Sequence, residues 1–204
     1  GSVFKAYDRH LKQEVAVKQI LRAEQNGIKA DSLRNEVEIL KGLEHPMLPK
    51  ICDYFQEGEN DYLVLEFIQG ETLEQYICEN GPMGQQPAIV FMKELLSVFA
   101  YLHSFSPPII YRDLKPSNIM IRSDGQVKLI DFGTAFNYFF GKKMDNIKAG
   151  TPGYAAPELL DLKKDVSECR ESSDIYSLGA VFHYILTGLN PSWMQVRRQP
   201  VREY

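Results

Sequence analysis

The pattern of apolar positions divides the chain into a strand-rich first part and a helix-rich second part. Residues 15–20, VAVKQI, form a short run rich in β-branched residues, which predicts a strand, and residues 62–67, YLVLEF, predict another. Between them, apolar residues recur at helical spacing from about 31 to 43, which predicts a helix. Gly70, shortly after the second strand, is the expected boundary between the two parts.

The second part carries longer helical segments and short strands. Residues 87–103 are apolar on most sides, which predicts a buried helix, and residues 173–186 predict a further helix that ends at Gly188. Short strands are expected around a central loop, at 109–111, 119–121 and 127–130. A small sheet joined to a larger helical part leaves a cleft, where small ligands commonly bind.

Two charged residues lie on faces that the pattern predicts to be buried. Lys18 shares one face of the predicted strand with Ala16 and Ile20, and Glu36 lies on the apolar stripe of the first helix. A buried charge is costly unless it is paired. Each of these residues therefore requires a partner of opposite charge.

The clearest chemical signal is a pair of acidic motifs in a fixed order. Residues 113–118 read DLKPSN, and residues 131–133 read DFG directly behind an apolar run. A carboxylate, a lysine two residues later and an asparagine five residues later, followed by a second carboxylate in a tight turn, suit a metal-bridged triphosphate and an attacking hydroxyl group. Either motif alone is compatible with a solvated loop. Both together, in this order, indicate phosphoryl transfer.

Each residue of the two motifs has an expected task. Asp113 would accept or orient the proton of the hydroxyl group, and Lys115 would lie against the γ-phosphate. Asn118 and Asp131 would supply oxygen ligands to Mg²⁺, an ion that keeps several waters and binds few protein groups. Gly133 would let the backbone turn sharply beside the metal.

Composition narrows the class of protein further. Of 204 residues, 44% are hydrophobic, which indicates a folded domain, and a net charge of −4 provides no basic field for nucleic acid or an anionic membrane. Cys52, Cys78 and Cys169 lack a CxxC spacing, which argues against a zinc site and favours reduced thiols in the cytoplasm. The sequence contains neither an apolar run of membrane-spanning length nor a signal peptide in its first residues, so we expect a soluble segment.

The chain resembles the protein kinase superfamily, of the Ser/Thr type, over nearly its whole length. The motifs that carry the resemblance follow the family's order: VAVK ending at Lys18, NEVEIL with Glu36, YRD ending at Asp113, then DFG, and GTPGYAAPE at residues 150–158. The resemblance implies that Lys18 holds the α- and β-phosphates and that Glu36 pairs with it. The alternative is a purely structural surface pair.

The resemblance implies an α+β, bilobal protein-kinase-like fold that is truncated at both ends. A small antiparallel sheet lobe with one helix would span residues 1–67, and a larger, mainly helical lobe would span residues 68–204. The family's glycine-rich loop is represented by Gly1 and Val3, so its first strand and most of that loop are expected to be missing. The terminal helices are expected to be missing as well, and Glu158 would then lack its usual arginine partner, since Arg197, Arg198 and Arg202 do not match that position.

The same resemblance implies a site for ATP and Mg²⁺. Adenine would lie between apolar side chains and against the main chain of the hinge, with Leu65 limiting the depth of the pocket. The residues expected to bind the nucleotide are Gly1, Val3, Ala16, Lys18, Glu36, Leu65, Glu66, Ile68, Met120 and Asp131. The expected metal ligands are Asn118 and Asp131, and the expected catalytic residues are Asp113, Lys115, Asn118 and Thr151.

Two apolar stacks are also implied by the resemblance. One continues below the adenine through Leu73, Val181 and Ile185, and the other, made of Leu40, Ile51, Tyr111 and Phe132, forms in the active arrangement. Asp174 would anchor the second stack by binding the backbone of the YRD motif.

The acceptor implied by the resemblance is Ser or Thr on a protein, because Lys115 and the GTPGYAAPE segment are similar to Ser/Thr enzymes. The amino-acid sequences around the motifs look most like those of the bacterial branch of Ser/Thr kinases. Two alternatives stay open: a non-catalytic nucleotide-binding scaffold, disfavoured because Lys18, Asp113, Asn118 and Asp131 are all present, and a small-molecule kinase of related fold, disfavoured because GTPGYAAPE builds a platform for peptides.

Regulation is expected to depart from the family's pattern. Arg112 usually implies a controlling phosphate, yet residues 135–150 contain neither Ser nor Thr and position 147 is Ile. We predict that Ser/Thr phosphorylation at the usual place does not switch this enzyme, and that Asp145, or no group, occupies the Arg112 pocket. An activating phosphate mapped to Thr134 or Thr151 would contradict this prediction. A purely structural role of Arg112 is the alternative.

Overall fold

An antiparallel sheet of four strands forms the first part of the molecule. Its order is β1-β2-β4-β3, and the strands are β1 (Ser2–Asp8), β2 (Gln13–Leu21), β3 (Ile51–Glu57) and β4 (Asn60–Glu66). β2 contains the predicted strand at 15–20, and β4 begins two residues before the predicted strand at 62–67 and ends one residue before its end. The computed structural model describes residues 2–21, 36–137, 150–160 and 170–192.

A tight turn sets the pairing of β3 with β4. Glu57 pairs with Asn60, so two residues connect the strands. Gly58 adopts φ 57° there, in the left-handed region that glycine reaches without steric cost. The polar residues 59–61 therefore lie at the turn and the start of β4, which begins at Asn60.

One helix packs on this sheet. Residues 36–41 are helical, α1, while residues 31–35 of the predicted helix lie outside the described residues. Val37 of α1 packs with Ile20 of β2 and Leu63 of β4, and all three side chains are buried. This apolar contact fixes the helix over the strand that carries Lys18.

The chain then enters the helical part through β5 (Gly70–Thr72), α2 (Leu73–Asn80) and α3 (Gln85–His103). The sequence analysis did not predict β5 or α2. Thr72 caps α2, because its side chain accepts a hydrogen bond from Gln75 N at 3.1 Å and the Gln75 side chain accepts one from Thr72 N at 2.8 Å. The Thr-x-x-Gln spacing is therefore a start signal that was available in the sequence.

α3 is buried along one face, which corrects the prediction of a helix buried on most sides. Leu95, Val98 and Leu102 are inaccessible, whereas Val90 and Leu96 are 58% and 47% exposed. A buried helix was predicted because the segment is apolar on most sides. In the structure, the inaccessible residues follow helical spacing and define one packed stripe.

Short strands surround the loop at residues 111–118. They are β6 (Ile109–Ile110), β7 (Ile119–Arg122), β8 (Val127–Leu129) and β9 (Phe136–Asn137); β5, β7 and β8 form one sheet, and β6 pairs with β9. β7 and β8 form a hairpin with Gly125 at φ 82°. Tyr111 was predicted within a strand but lies outside β6, because its backbone N–H bonds to the side chain of Asp174.

Two helices complete the described part of the chain, α4 (Pro157–Leu160) and α5 (Glu171–Thr187). α5 confirms the helix predicted at 173–186, including its end. Gly188 adopts φ 69° and donates its N–H to Tyr184 O at 2.8 Å, which is the left-handed helix end that glycine favours.

The main apolar core joins the two parts. Leu40 of α1 and Met47 of the following loop belong to the same cluster as Phe99, Phe132 and Val181. A small antiparallel sheet with one helix therefore packs against a mainly helical unit, as the predicted α+β fold requires. Within the described ranges, no helix combines the length and apolar character needed to cross a bilayer.

Candidate active site

Lys18 and Glu36 form the ion pair that the sequence analysis predicted. Lys18 Nζ lies 2.6 Å from Glu36 Oε2 and 2.7 Å from Asp131 Oδ1. β2 supplies the lysine, α1 the glutamate and the segment after β8 the aspartate. The Lys18 and Glu36 side chains are 17% and 1% exposed, so the amine joins three separate segments at a largely buried point.

Burial and charge oppose each other at these groups. Burial alone would lower the pKa of Lys18, but the carboxylates of Glu36 and Asp131 raise that pKa above its ordinary value. Burial raises the pKa of Asp131, yet the charge and hydrogen bond of Lys18, with the Gly133 N–H, bring this pKa below its ordinary value. At Glu36, burial outweighs the lysine and the pKa is raised. Asp131 is therefore the more readily ionised carboxyl group, as a metal ligand requires.

The DFG turn has a specific backbone geometry. Asp131 adopts φ 66°, which is uncommon outside glycine, and Phe132 N donates to Glu36 Oε1 at 3.1 Å. A Cβ atom on Gly133 would lie 3.2 Å from Asp131 Oδ1 and 3.5 Å from Lys18 Nζ. Glycine at this position therefore leaves room for the ion pairs.

Asp113 is held through both carboxylate oxygens. Lys115 Nζ lies 2.8 Å from Oδ2, and Thr151 Oγ1 donates to Oδ1 at 2.8 Å. The same lysine donates to Thr151 Oγ1 at 3.1 Å. Thr151, which the resemblance implied as a catalytic residue, therefore contacts both Asp113 and Lys115, and it restricts the orientation of the Asp113 carboxylate.

Asn118 closes the same loop from a short 3-10 turn, Pro116–Asn118. Its Nδ2 donates to the backbone oxygen of Asp113 at 2.9 Å, and its own backbone oxygen accepts from Ile130 N at 2.9 Å, next to Asp131. In the described part of the chain, no donor bonds to Asn118 Oδ1. This oxygen remains available as a ligand.

The donor chemistry at this point fits Mg²⁺. The amide oxygen of Asn118 and the carboxylate of Asp131 are hard oxygen ligands, which Mg²⁺ prefers. Among the described residues, no cluster of three or more His, Cys, Asp or Glu side chains could hold a metal. Two protein oxygens suit an ion that keeps most of its waters.

Asp174 of α5 anchors the backbone that leads into Asp113. Its carboxylate accepts hydrogen bonds from Tyr111 N and Arg112 N, both at 2.9 Å, and His103 Nε2 lies 2.9 Å from Oδ2. Arg112 adopts φ 68°, and these bonds support that unfavourable backbone conformation. The anchoring role implied for Asp174 by the resemblance is therefore seen in the hydrogen bonds.

The second apolar stack is assembled. The rings of Tyr111 and Phe132 lie 5.0 Å apart at an angle of 75°, and both are inaccessible. Leu40 belongs to the same core, with Ile51 packed against it. The residues of the other stack, also in this core and inaccessible, are Leu73, Val181 and Ile185.

The sheet places several residues expected to bind the nucleotide beside Lys18. Pairing sets Val3 opposite Lys18 and Ala16 opposite Leu65. Val3 is 66% exposed, while Ala16 and Leu65 are half-buried. This surface of the sheet therefore stays accessible next to the ion pair.

The remaining residues expected at the nucleotide lie at or after the end of β4, on β7, or outside the described residues. Met120 is half-buried on β7 opposite Thr72, and Ile68 is half-buried two residues after β4. Glu66 ends β4, and its carboxylate forms an ion pair with Lys128. Gly1 lies outside the described residues. The nucleotide-binding roles of all these residues stay predictions.

The expectations about Asp145 and Ile147, in the segment after DFG, concern residues outside the described part of the chain. Arg112 Nε donates to Thr134 O at 2.6 Å, so this arginine binds the start of the segment. Asp145 and Ile147 belong to residues 138–149, which the structure does not describe. The proposed occupant of the Arg112 pocket therefore stays a prediction.

Glu158 has a hydroxyl partner. Ser173 Oγ donates to Glu158 Oε1 at 2.6 Å, and Ser173 is inaccessible. The three arginines compared with the family's partner for Glu158 lie outside the described residues. The sequence analysis did not anticipate this contact between α4 and α5.

Sequence reasoning missed three polar residues that the structure places at buried junctions: His103, Lys128 and Ser173. A signal was available for one of them. Lys128 stands between Val127 and Leu129 on a strand whose three residues are all buried. A lysine inside an apolar strand indicates a charge that needs a partner.

Comparison with known proteins identifies the family. The model of the family described as protein kinase domain matches residues 1–203. A probable serine/threonine-protein kinase of Dictyostelium discoideum is 34% identical over 191 residues, 94% of this chain. MARK-C, a probable serine/threonine-protein kinase of the same organism, is 33% identical over 88% of the chain, and calcium-dependent protein kinase 5 of Plasmodium berghei is 34% identical over 94%. The chain belongs to the protein kinase domain family, with the bilobal fold that the resemblance implied.

The chain spans part of each relative. It covers 37% and 23% of the two Dictyostelium proteins and 33% of the Plasmodium protein. The expected likeness to the bacterial branch is not supported by these relatives, which come from Dictyostelium and Plasmodium.

Proposed function

We propose that the chain is the catalytic domain of a Ser/Thr protein kinase, which transfers the γ-phosphoryl group of ATP to a serine or threonine hydroxyl group of a protein. The hydroxyl oxygen forms the new bond to phosphorus, and the bond between the γ-phosphorus and the β,γ-bridging oxygen breaks, so ADP leaves. The hydroxyl proton passes to Asp113, which acts as the base.

The observation that carries this proposal is the Asp113 carboxylate, which Lys115 and Thr151 bind from two sides. A base must be oriented toward the proton it accepts, and these contacts supply the orientation. Lys115, 2.8 Å from the carboxylate, would also place positive charge beside the transferring group. Thr151 links this loop to the GTPGYAAPE segment, where we expect the protein substrate to bind.

The proposed cofactors are ATP and Mg²⁺. Lys18 would bind the α- and β-phosphates, and Glu36 would hold that lysine in place, since its carboxylate is buried against the amine. Asn118 and Asp131 would be the protein ligands of Mg²⁺. When bound, Mg²⁺ supplies positive charge to the phosphate oxygens.

The adenine would bind along the sheet and the segment after β4. Val3, Ala16, Leu65 and Met120 would provide apolar contacts, and main-chain groups of residues 66–68 would bind the polar edge. The exposed surface of Val3 beside Lys18 supports this position. Gly1 belongs to the same proposed site.

The division into lobes at residues 1–67 and 68–204 belongs to this proposal, and it is supported by the end of the four-stranded sheet at Glu66. We also propose a cytoplasmic location, where ATP is available. The free thiols of Cys52 and Cys78 are consistent with a reducing compartment.

A transfer assay tests the function. The intact protein should phosphorylate a mixed panel of proteins in the presence of ATP and Mg²⁺, and the labelled residues should be Ser and Thr in phosphoamino-acid analysis. Asp113→Asn should reduce the rate about 10²- to 10⁴-fold, the usual contribution of a positioned base. Lys18→Met should reduce it by a similar factor through loss of charge at the phosphates.

The outcomes separate the alternatives. Equal label with the wild-type protein and both variants would favour a non-catalytic scaffold. Label on a small molecule in a cell extract, with none on protein, would favour a small-molecule kinase. Removal of the metal with EDTA should abolish transfer, because the phosphate charge would be left without its cation.

A further inference from the structure

Lys128 is a buried lysine that the proposed mechanism does not use. It lies in the middle of β8, and its side chain is 7% exposed. Nζ donates to the backbone oxygen of Leu48 at 3.1 Å and forms an ion pair with the carboxylate of Glu66. The Lys128 amine is therefore bound by two polar groups from other segments in place of water.

Three segments converge at this amine. β8 leads within two residues of its end to Asp131, the loop at residues 47–50 follows α1, and Glu66 ends β4, where the hinge begins. Two backbone bonds run beside the ion pair: Leu129 N donates to Met47 O at 2.8 Å, and Glu66 N donates to Lys50 O at 2.9 Å. The loop is therefore bound to β8 on one side and to Glu66 on the other.

Stability alone does not explain a charged pair at this place. Replacing a buried ion pair by apolar residues of similar volume is often neutral or stabilising, because the two charges lose their hydration. A known use of such pairs is to select one arrangement of the segments that they join. At Lys128, the segments joined are the hinge and the strand that leads to the proposed metal ligand.

We propose that Lys128 is a positioning residue for the adenine. By holding the Glu66 side chain and the Leu48 carbonyl, it fixes the backbone of residues 66–68, whose main-chain groups would bind the adenine edge. This inference rests on the proposed function for the nucleotide. It assigns Lys128 no contact with phosphate, metal or substrate, in contrast to Lys18.

The test compares three variants of the intact protein. Lys128→Met combined with Glu66→Gln removes the ion pair without leaving an unpaired, half-buried carboxylate. Lys128→Arg keeps the charge. Val98→Ala, in the inaccessible stripe of α3, lowers stability by a cavity at a residue remote from the hinge in sequence and serves as the stability control.

The first readout needs no ligand. Hydrogen exchange of the amides at residues 66–70 should accelerate about tenfold or more in the double variant, should stay close to wild type in Lys128→Arg, and should not increase selectively in Val98→Ala. Unchanged exchange at residues 66–70 in the double variant would overturn the proposal. So would an equal increase in Val98→Ala, because that result would reflect general destabilisation.

The second readout is the affinity for adenosine and the affinity for ATP, each measured by isothermal titration calorimetry in the absence of metal. The double variant should weaken both ligands by the same factor, about 5- to 20-fold, within the usual range of coupling between sites. Lys18→Met should weaken ATP and leave adenosine unchanged. A loss confined to ATP in the double variant would contradict the proposal.

The two proposals fail separately. If the wild-type protein binds adenosine but transfers no phosphate, the proposed function fails and the role of Lys128 is still decided by adenosine affinity. If it binds no adenosine, the proposed adenine-positioning role fails as well. Hydrogen exchange then shows whether Lys128 fixes the hinge backbone.

Discussion

The hydroxyl group of Tyr111 donates a hydrogen bond to the backbone oxygen of Ile130, the residue directly before Asp131. Tyr111 itself lies two residues before Asp113, so this bond connects the loop of the proposed base with the segment of the proposed metal ligand. Burial raises the pKa of Tyr111 well above its ordinary value, and the nearby carboxylates add to the shift. The hydroxyl group therefore remains a donor at neutral pH.

We expect Tyr111→Phe to lower the free energy of unfolding by about 0.5–1.5 kcal/mol, because the hydrogen bond to the half-buried Ile130 oxygen would be lost while the ring is retained. Urea denaturation followed by circular dichroism measures the change. Tyr7→Phe is the control: Tyr7 is 62% exposed, and its change should stay within about 0.5 kcal/mol. Equal stability of Tyr111→Phe and wild type would show that this hydrogen bond contributes nothing.

The ionisation of Asp131 should depend on Lys18. Because the folded-state pKa lies below the ordinary value of 3.8, ionised Asp131 favours the folded state above that pH, and this contribution is lost as pH falls through the folded pKa. Lys18→Met removes the main charge that lowers this pKa, so the midpoint should rise. Carboxyl ¹³C NMR titration between about pH 2 and 6 measures it. An identical midpoint in both proteins would contradict the assigned cause.

The local pattern of apolar and polar residues predicted those parts of the site where a charged residue lies on an apolar face. A lysine on an apolar strand and a glutamate on an apolar helical stripe each needed a partner, and Lys18 and Glu36 are indeed paired. The end of α5 was predictable for a similar local reason, since Gly188 adopts a left-handed backbone conformation that residues with a side chain rarely adopt. Such features depend on neighbours within a few residues.

The features that sequence reasoning missed depend on contacts between distant segments. The exposure of Leu96 reflects which face of α3 packs against a neighbour, and periodicity alone does not specify that neighbour for a segment that is apolar on most sides. The hydroxyl bond from Ser173 to Glu158 joins two helices whose mutual position no local pattern records. Lys128 stands in an apolar strand, which is a local signal, but it lies outside the recognised motifs.

Ser173 should stabilise the contact between α4 and α5. We expect Ser173→Ala to lower the free energy of unfolding by about 1.5–3 kcal/mol, the usual value for a hydrogen bond to a charged group, because it leaves the Glu158 carboxylate without this donor. Thermal and urea unfolding measure the loss. Ser177→Ala is the matched control, since Ser177 is also inaccessible and its hydroxyl bonds the backbone of its own helix. Similar losses in the two variants would exclude a specific role for the Glu158 contact.

Thr151 should affect catalysis through the orientation of Asp113. Thr151→Ala removes the hydroxyl that donates to Asp113 Oδ1 and accepts from Lys115, so kcat should fall about 10- to 100-fold, part of the 10²- to 10⁴-fold that a positioned base contributes. Thr151→Ser keeps the hydroxyl and should retain most of the rate. Single-turnover phosphate transfer at saturating ATP measures this difference.

The KM for ATP separates positioning from a general loss of the site. The KM for ATP should change less than twofold in Thr151→Ala, because Thr151 contacts the loop that carries Asp113. The α- and β-phosphates of ATP are proposed to contact Lys18 instead. A parallel fall of kcat in Thr151→Ser and Thr151→Ala would mean that the methyl group or the backbone matters rather than the hydroxyl bonds. A rise in KM with unchanged kcat would place Thr151 in nucleotide binding instead.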